Sequence, residues 1–338
     1  MTDSKAVSYI VPAASWKKSQ SDEPVRNLVS VGGEDLLAYE FPPRETLLHP
    51  WLQSQSLSML YAWRGVGKTH TALGIAWAVA SGGEFLGWSA AKPAPVLYLD
   101  GEMPGAALQE RLRAIHGASS TQPPPGTLRF ITPDLQPDGL MPNLASAEGQ
   151  TEINAALGDA SLIIVDNLSC LARGGIENDA ESWSFIASWA LRMRAAGRAV
   201  LFIHHAGKGG AQRGTSKRED LLDTVISLRR PGDYAPDQGA RFAVHFEKAR
   251  ALFGQDVEPF EAALTTGADG RQKWTLTASE EAGESKMIEL ANLGLSQTDI
   301  ARELGCHKST VCRTLQSAQA EGRYQPVRRS NARSEAQK

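Results

Sequence analysis

The sequence predicts an α/β fold with a mainly parallel sheet, followed by a small all-α unit towards the C-terminus. Three observations carry that expectation. The segment Ala62-Trp63-Arg64-Gly65-Val66-Gly67-Lys68-Thr69 lies between an apolar run, Leu57 to Tyr61, and a small-residue helical stretch, His70 to Ala80. This is the strand–loop–helix setting of a phosphate-binding loop. Downstream, short apolar runs without alternation recur between helical patterns, as strands buried on both faces do. Near the end, Leu295 to Leu315 holds two short helical patterns separated by Gly305.

In chain order, residues 1–35 are polar and irregular and read as a flexible lead-in. The α/β domain is expected over 36–265. Its strands are predicted at Leu57–Tyr61, Val96–Asp100, Leu128–Thr132, Leu162–Asp166, Val200–His204, Val225–Leu228, Phe242–Glu247 and Trp274–Thr277. The later runs alternate better and suit an antiparallel edge. Gln122 to Gly126 is a stiff surface connection. Residues 266–283, rich in Gly, Ala, Ser and Glu, read as a linker. A helical unit follows over 284–324, and 325–338 read as a disordered tail.

The bulk properties fit this plan. The chain has 338 residues, 42% apolar and 22% charged, enough for one large core and a smaller module. The net charge of −3 gives no global basic footprint. From Lys286 onward, however, nine Lys and Arg face five Asp and Glu, so the end of the chain is basic by +4. Any nucleic-acid contact should therefore be local. Cys170, Cys306 and Cys312 lack metal-ligand spacing and are too few for a disulfide framework, which fits a reducing cytoplasm. The N-terminus is polar and no apolar run approaches the roughly 18 residues of a membrane helix, so neither a signal peptide nor a membrane span is expected.

The chemistry centres on residues Arg64 to His70. Backbone N–H groups of Arg64, Gly65, Val66, Gly67, Lys68, Thr69 and His70 converge at a helix N-terminus and favour an anion there. Lys68 adds a point charge on the β- and γ-phosphates, and the Thr69 hydroxyl is a ligand for Mg²⁺. Ala62 stands where the loop pattern has its first glycine, while Gly65 and Gly67 keep the positions where positive φ is needed. Val96-Leu97-Tyr98-Leu99-Asp100-Gly101-Glu102 places two acids at a strand end facing the ligand crevice. Glu102 is the predicted base that orients the attacking water. Leu162 to Asp166 is four apolar residues ending in an acid, the expected holder of Mg²⁺ through its water shell. Val200 to His205 ends in a histidine pair. His205, in preference to His204, is the predicted sensor of the γ-phosphate. No cysteine or third histidine nearby completes a metal site. The basic Gly-rich loop around Arg213-Gly214-Thr215-Ser216-Lys217-Arg218 is open to three readings: an arginine finger from Arg213 into a neighbouring subunit, a solvated loop, or a DNA-phosphate contact.

Leu295 to Leu315 reads as a helix-turn-helix. Ser296 is a predicted N-cap with Asp299 three residues on. Ile300, Ala301 and Leu304 give the first helix its apolar face, and Val311 and Leu315 pack inward from the second. That leaves Lys308, Ser309, Thr310, Arg313 and Thr314 near the exposed start of a recognition helix. Cys306 and Cys312 are expected to be buried apolar fillers. A bundle for protein contacts is the alternative.

Together, Gly65 to Thr69, Tyr98 to Glu102, Ile164 to Asp166, Phe202 to Gly209 and Arg213 to Ser216 resemble the RecA-like hexameric ATPases, most closely the RepA-type plasmid replicative helicases. The likeness covers Leu57 to Leu228. It implies a RecA-like P-loop NTPase core that binds ATP and Mg²⁺ through Lys68, Thr69 and Asp166. It implies Glu102 as catalytic base, His205 as sensor and Arg213 as trans-acting finger. It further implies a homo-hexameric ring around single-stranded DNA, with Arg173, Lys208 and Lys217 as contacts in the pore. The helix-turn-helix is an addition that the small plasmid helicases lack, and it suits duplex binding. The function expected is an ATP-dependent DNA motor in replication of a plasmid or mobile element. An ATP-switched sequence-specific regulator and a recombination or loader ATPase are the alternatives. No base-specific pocket distinguishes ATP from GTP.

Overall fold

The computed structural model describes residues 28–173, 180–207 and 219–325. The chain divides into a short unit ending at Pro43 and a large unit from Arg44. The described part of the first unit holds one short helix, α1 (Gly33–Ala38), none of whose residues is buried.

The large unit begins with a small antiparallel pair, β1 (Thr46–Leu48) and β2 (Leu52–Gln53). Strand β3 (Leu57–Ala62) then runs through the phosphate-loop segment into helix α2 (Lys68–Ser81). A second antiparallel pair follows, β4 (Glu84–Phe85) with β5 (Trp88–Ser89). The alternation expected of a layered α/β fold comes next: β6 (Val96–Asp100), α3 (Gly105–Ala118), β7 (Leu128–Ile131), α4 (Ala147–Ala156) and β8 (Leu162–Asp166). The short α5 (Leu168–Leu171), α6 (Ala180–Ala195) and β9 (Ala199–His205) continue it. The remaining strands are β10 (Thr224–Arg229), β11 (Arg241–Ala249), β12 (Phe260–Thr266) and β13 (Gln272–Ala278). Helices α7 (Glu280–Asn292), α8 (Gln297–Glu303) and α9 (Lys308–Ala320) close the described chain.

One nine-stranded sheet organises the unit, in the order β13-β12-β11-β10-β3-β9-β8-β6-β7. From β10 to β7 every neighbour is parallel. From β10 to β13 every neighbour is antiparallel. The parallel strands β3, β6 and β8 are buried at every position, as the unbroken apolar runs require when helices cover both faces. Their residues divide by the two-residue period. Leu60 and Ala62 pack on the α2 side with Ala72, Leu73 and Ile75, while Leu57, Met59 and Tyr61 pack on the α6 side with Ile186 and Trp189. Strand β9 lies between β3 and β8, so the loop-bearing strand and the acid-bearing strand are one strand apart. This is a mainly parallel α/β core, with the phosphate-loop segment between β3 and α2, and an antiparallel extension.

Two sequence expectations are corrected. The stretch 266–283 is not a linker: it holds β13, which contains the strand expected at Trp274–Thr277, and the first turn of α7, so the sheet extends to Ala278. Strand β13 is the outer edge of the sheet and most of its side chains are exposed, which is why its composition looks like a connector. Strand β12 was also absent from the predicted set, because its pattern holds a single buried residue, Ala262, among half-exposed and exposed ones. The C-terminal helices α7 to α9 have a core of their own, built from Met287, Ala291, Ile300, Ala301, Val311 and Leu315.

Candidate functional site: a phosphate cavity at the carboxyl edge of the sheet

Strands β3, β6, β8 and β9 run parallel, so the residues after their last positions gather at one edge. A cavity of about 500 Å³ lies there. Its lining includes Arg64, Gly65, Gly67, Lys68, Thr69 and His70 from the loop and α2, with Asp100, Glu102, Asp166, Asn167 and His205 from the strand ends. The residues predicted to work together therefore share one space. Val66 does not line it; its side chain is in the core at 2% exposure.

The loop is shaped by two glycines. Gly65 has φ of 74° and Gly67 φ of 135°, both in the region that L side chains rarely adopt. At Gly67 a Cβ would also stand 2.8 Å from the Phe242 ring, so only glycine fits. Ala62 needs no such freedom. It is still a strand residue, paired with His205 on one side and Leu228 on the other, and its departure from the glycine pattern costs the loop nothing. Arg230, beyond β10, donates to the Gly65 carbonyl at 3.3 Å and stacks over the Tyr234 ring at 4.1 Å.

Lys68 is 7% exposed, and its ammonium donates to the carbonyls of Ala62 at 3.2 Å and Trp63 at 3.0 Å. Burial lowers its pKa, opposed by the nearby Asp166 and Glu102 carboxylates. Asp166 is 4% exposed, and burial pushes its pKa up to about 6. Hydrogen bonds from the Tyr98 phenol, at 2.6 Å, and from Thr69 oppose that rise. A desolvated lysine opposite a desolvated carboxylate suits a ligand that brings both negative charge and a cation. Thr69 and Asp166 provide oxygen donors of the kind Mg²⁺ prefers. The buried Asp100 shapes the adjoining turn. It accepts N–H bonds from Glu102 at 3.3 Å and Met103 at 3.2 Å, and a hydroxyl bond from Thr132 at 3.3 Å. Burial raises its pKa as well. His70 has its pKa lowered to about 4, by burial first and then by the Arg111 guanidinium, so it is neutral at pH 7.

Glu102 leaves this turn towards the cavity with an exposed side chain. Its Oε2 accepts from the Asn167 amide and lies 4.0 Å from His205 Nε2. His205 faces the cavity, and His204 is buried at 1% exposure.

The predicted pore contacts are placed less completely. Arg173 is exposed, and its guanidinium donates to the Met141 carbonyl. Lys208, Arg213 and Lys217 lie outside the described residues.

In the C-terminal unit, the Ser296 hydroxyl caps α8 by accepting the Asp299 N–H at 3.2 Å. The reciprocal half of the box takes another form: the hydroxyl donates to Asp299 Oδ2 at 2.6 Å. Lys308, Ser309 and Arg313 are exposed at the start of α9, and Thr310 is half-buried. His307 caps that helix, its Nδ1 accepting the Ser309 N–H at 3.3 Å. Cys306 is half-buried against this small core, and Cys312 is half-buried too, so neither is the fully enclosed filler expected.

Four residues of these sites escaped sequence reasoning. Arg111 of α3 lines the cavity with no motif to mark it. Tyr98 sits inside an apolar strand run and reveals its role only through the register that aligns β6 with β8. Asn167 and His307 did carry a signal, as polar residues directly before a helical pattern.

The family described as AAA domain matches residues 21–211. A homeodomain-like domain matches residues 286–327. Among solved structures, a KaiC-like protein from the hyperthermophilic archaeon Pyrococcus horikoshii OT3 is similar, with 14% identity over 68% of this chain and 93% of that one and a TM-score of 0.44.

Proposed function

Since the chain belongs to the AAA domain family, we propose that this P-loop ATPase is a DNA motor of the RecA-like ring class, working in replication of a plasmid or other mobile element. It would hydrolyse ATP between subunits of a homo-hexamer. The observation that carries this reading is the meeting of Lys68, Thr69, Glu102, Asp166 and His205 around one cavity.

In the proposed reaction, main-chain N–H groups from Arg64 to His70 bind the phosphates at the start of α2. Lys68 turns from the Ala62 and Trp63 carbonyls to the β- and γ-phosphate oxygens and balances charge as the bond to the leaving phosphate lengthens. Thr69 and Asp166 would hold Mg²⁺, which neutralises phosphate charge and orients the γ-phosphoryl group. Glu102 accepts a proton from the attacking water, in line with the bond that breaks. His205, beside Glu102 on the same Asn167 amide, senses the γ-phosphate and passes its loss into the segment that follows β9. Arg213 is the proposed finger into a neighbouring site, and Arg173, Lys208 and Lys217 are the proposed contacts to single-stranded DNA. The helix-turn-helix would bind duplex DNA and load the ring.

Lys68→Ala tests the reading. ATPase activity and strand separation should be lost together, and strand separation that survives without hydrolysis rules out the motor. A second reading, an ATP-switched sequence-specific regulator, is favoured by the exposed and well-capped start of α9. A defined operator footprint with no unwinding would select it.

A further inference from the structure

We propose that Asn167 is a positioning residue that holds the Glu102 carboxylate and the His205 imidazole to one another through the two hydrogens of its amide. The inference rests on the reading of Glu102 as the base and adds a residue that no motif assigns.

The orientation of the Asn167 side chain follows from its partners. Its Oδ1 accepts the Cys170 N–H at 3.0 Å and so caps α5. The amide nitrogen must then face the opposite way, where it donates to Glu102 Oε2 and lies 3.3 Å from His205 Nε2. An amide nitrogen carries two hydrogens and no usable lone pair. One hydrogen goes to the carboxylate and the other faces the imidazole Nε2, which acts as its acceptor. Both amide hydrogens and one lone pair of Oδ1 are thus engaged. Asn167 is 2% exposed, so the amide has no water to exchange with at little cost.

The two residues that the amide joins come from different strands. Glu102 follows β6, His205 ends β9, and Asn167 follows β8 between them. Asn167 joins the proposed base and the proposed sensor through a single nitrogen atom. When His205 turns to a γ-phosphate, one amide hydrogen is released and the bond to Glu102 is left to fix the carboxylate alone. Aspartate or serine would cap α5 as well as asparagine does, so the cap by itself does not explain the residue.

The test uses Asn167→Ser in the full-length protein. Serine retains an N-cap oxygen and lacks the amide that reaches Glu102. The expected result is a kcat lower by roughly tenfold to a hundredfold, as displacement of a reacting group by about 1 Å produces. The dissociation constant of Mg²⁺ with a fluorescent ATP analogue should change by less than about twofold, and the Tm should hold, because the phosphate contacts and the cap persist. A kcat within about twofold of the parent would overturn the proposal, and so would a parallel loss of kcat, nucleotide affinity and Tm, the mark of a purely structural role. Asn167→Ala serves as the comparison, since it removes cap and bridge together and should lower Tm as well as kcat. Glu102→Gln separates the two claims. Hydrolysis that survives in Glu102→Gln removes Glu102 as the base, whereas a silent Asn167→Ser beside an inactive Glu102→Gln removes the bridge alone.

Discussion

Asp166 illustrates how burial keeps a carboxylate under tension. Its carboxyl has a pKa near 6 in the folded chain against 3.8 for the free side chain, because burial penalises the charge. The folded state therefore binds the proton more tightly. The stability this group contributes is fully present below about pH 4 and is lost as pH rises through 6. In the nucleotide-free protein, Asp166→Asn should raise stability at pH 7, on the order of 3 kcal/mol, and have no effect near pH 4. Calorimetric melting at the two pH values checks this. The same shift predicts that Mg²⁺ with nucleotide releases protons on binding near pH 6, visible as a heat that depends on the buffer, and that Asp166→Asn abolishes the release. Tyr98 fixes one oxygen of this carboxylate at 2.6 Å. Tyr98→Phe should weaken Mg²⁺-dependent nucleotide binding roughly tenfold to a hundredfold, as loss of a support to a ligating group does. Titration of nucleotide affinity against Mg²⁺ measures it.

Helix α9 shows which parts of an element a sequence reveals. Its inward residues, Val311 and Leu315, are spaced for burial and are buried. Lys308, Ser309 and Arg313 fall on the exposed start for the same reason. Lys308→Ala should weaken duplex binding about equally across sequences and reduce the salt slope by about one, as loss of a phosphate contact does. Arg313→Ala should cost about 1–3 kcal/mol on the preferred sequence and relax specificity if it reads a base edge. Binding isotherms over a range of salt separate the two. The strand ends at Lys68, Glu102, Asp166 and His205 were legible for a comparable reason: apolar runs that stop at polar residues place those residues at one edge of a parallel sheet. Arg111 and Tyr98 were not legible, because they depend on which strands become neighbours and on where α3 lies over the cavity. Strand β13 was legible through Trp274–Thr277, whereas β12 was missed because a strand with a single buried residue keeps too little apolar pattern to declare itself.

Across the whole molecule, the described residues contain one large α/β unit with a core on each face of its sheet, and a small helical core from Met287 to Leu315. The helical core shares no residue with the other two. Ile300→Asp, which places a charge in the small core, should abolish duplex binding and leave nucleotide affinity unchanged, as sites with no shared partners behave. If nucleotide affinity fell as well, the helical core and the cavity would be coupled. The ring reading carries its own check at this level. Mass in solution should rise to that of a hexamer with Mg²⁺, ATP and single-stranded DNA, and a monomer under every condition would leave Arg213 no neighbour to act on.

The independence of that small core has a practical result. Helices that carry their own packing can be exchanged as a cassette. Replacing α7 to α9 with another self-contained reading head should redirect the protein to a new address on duplex DNA while the engine keeps its fuel consumption.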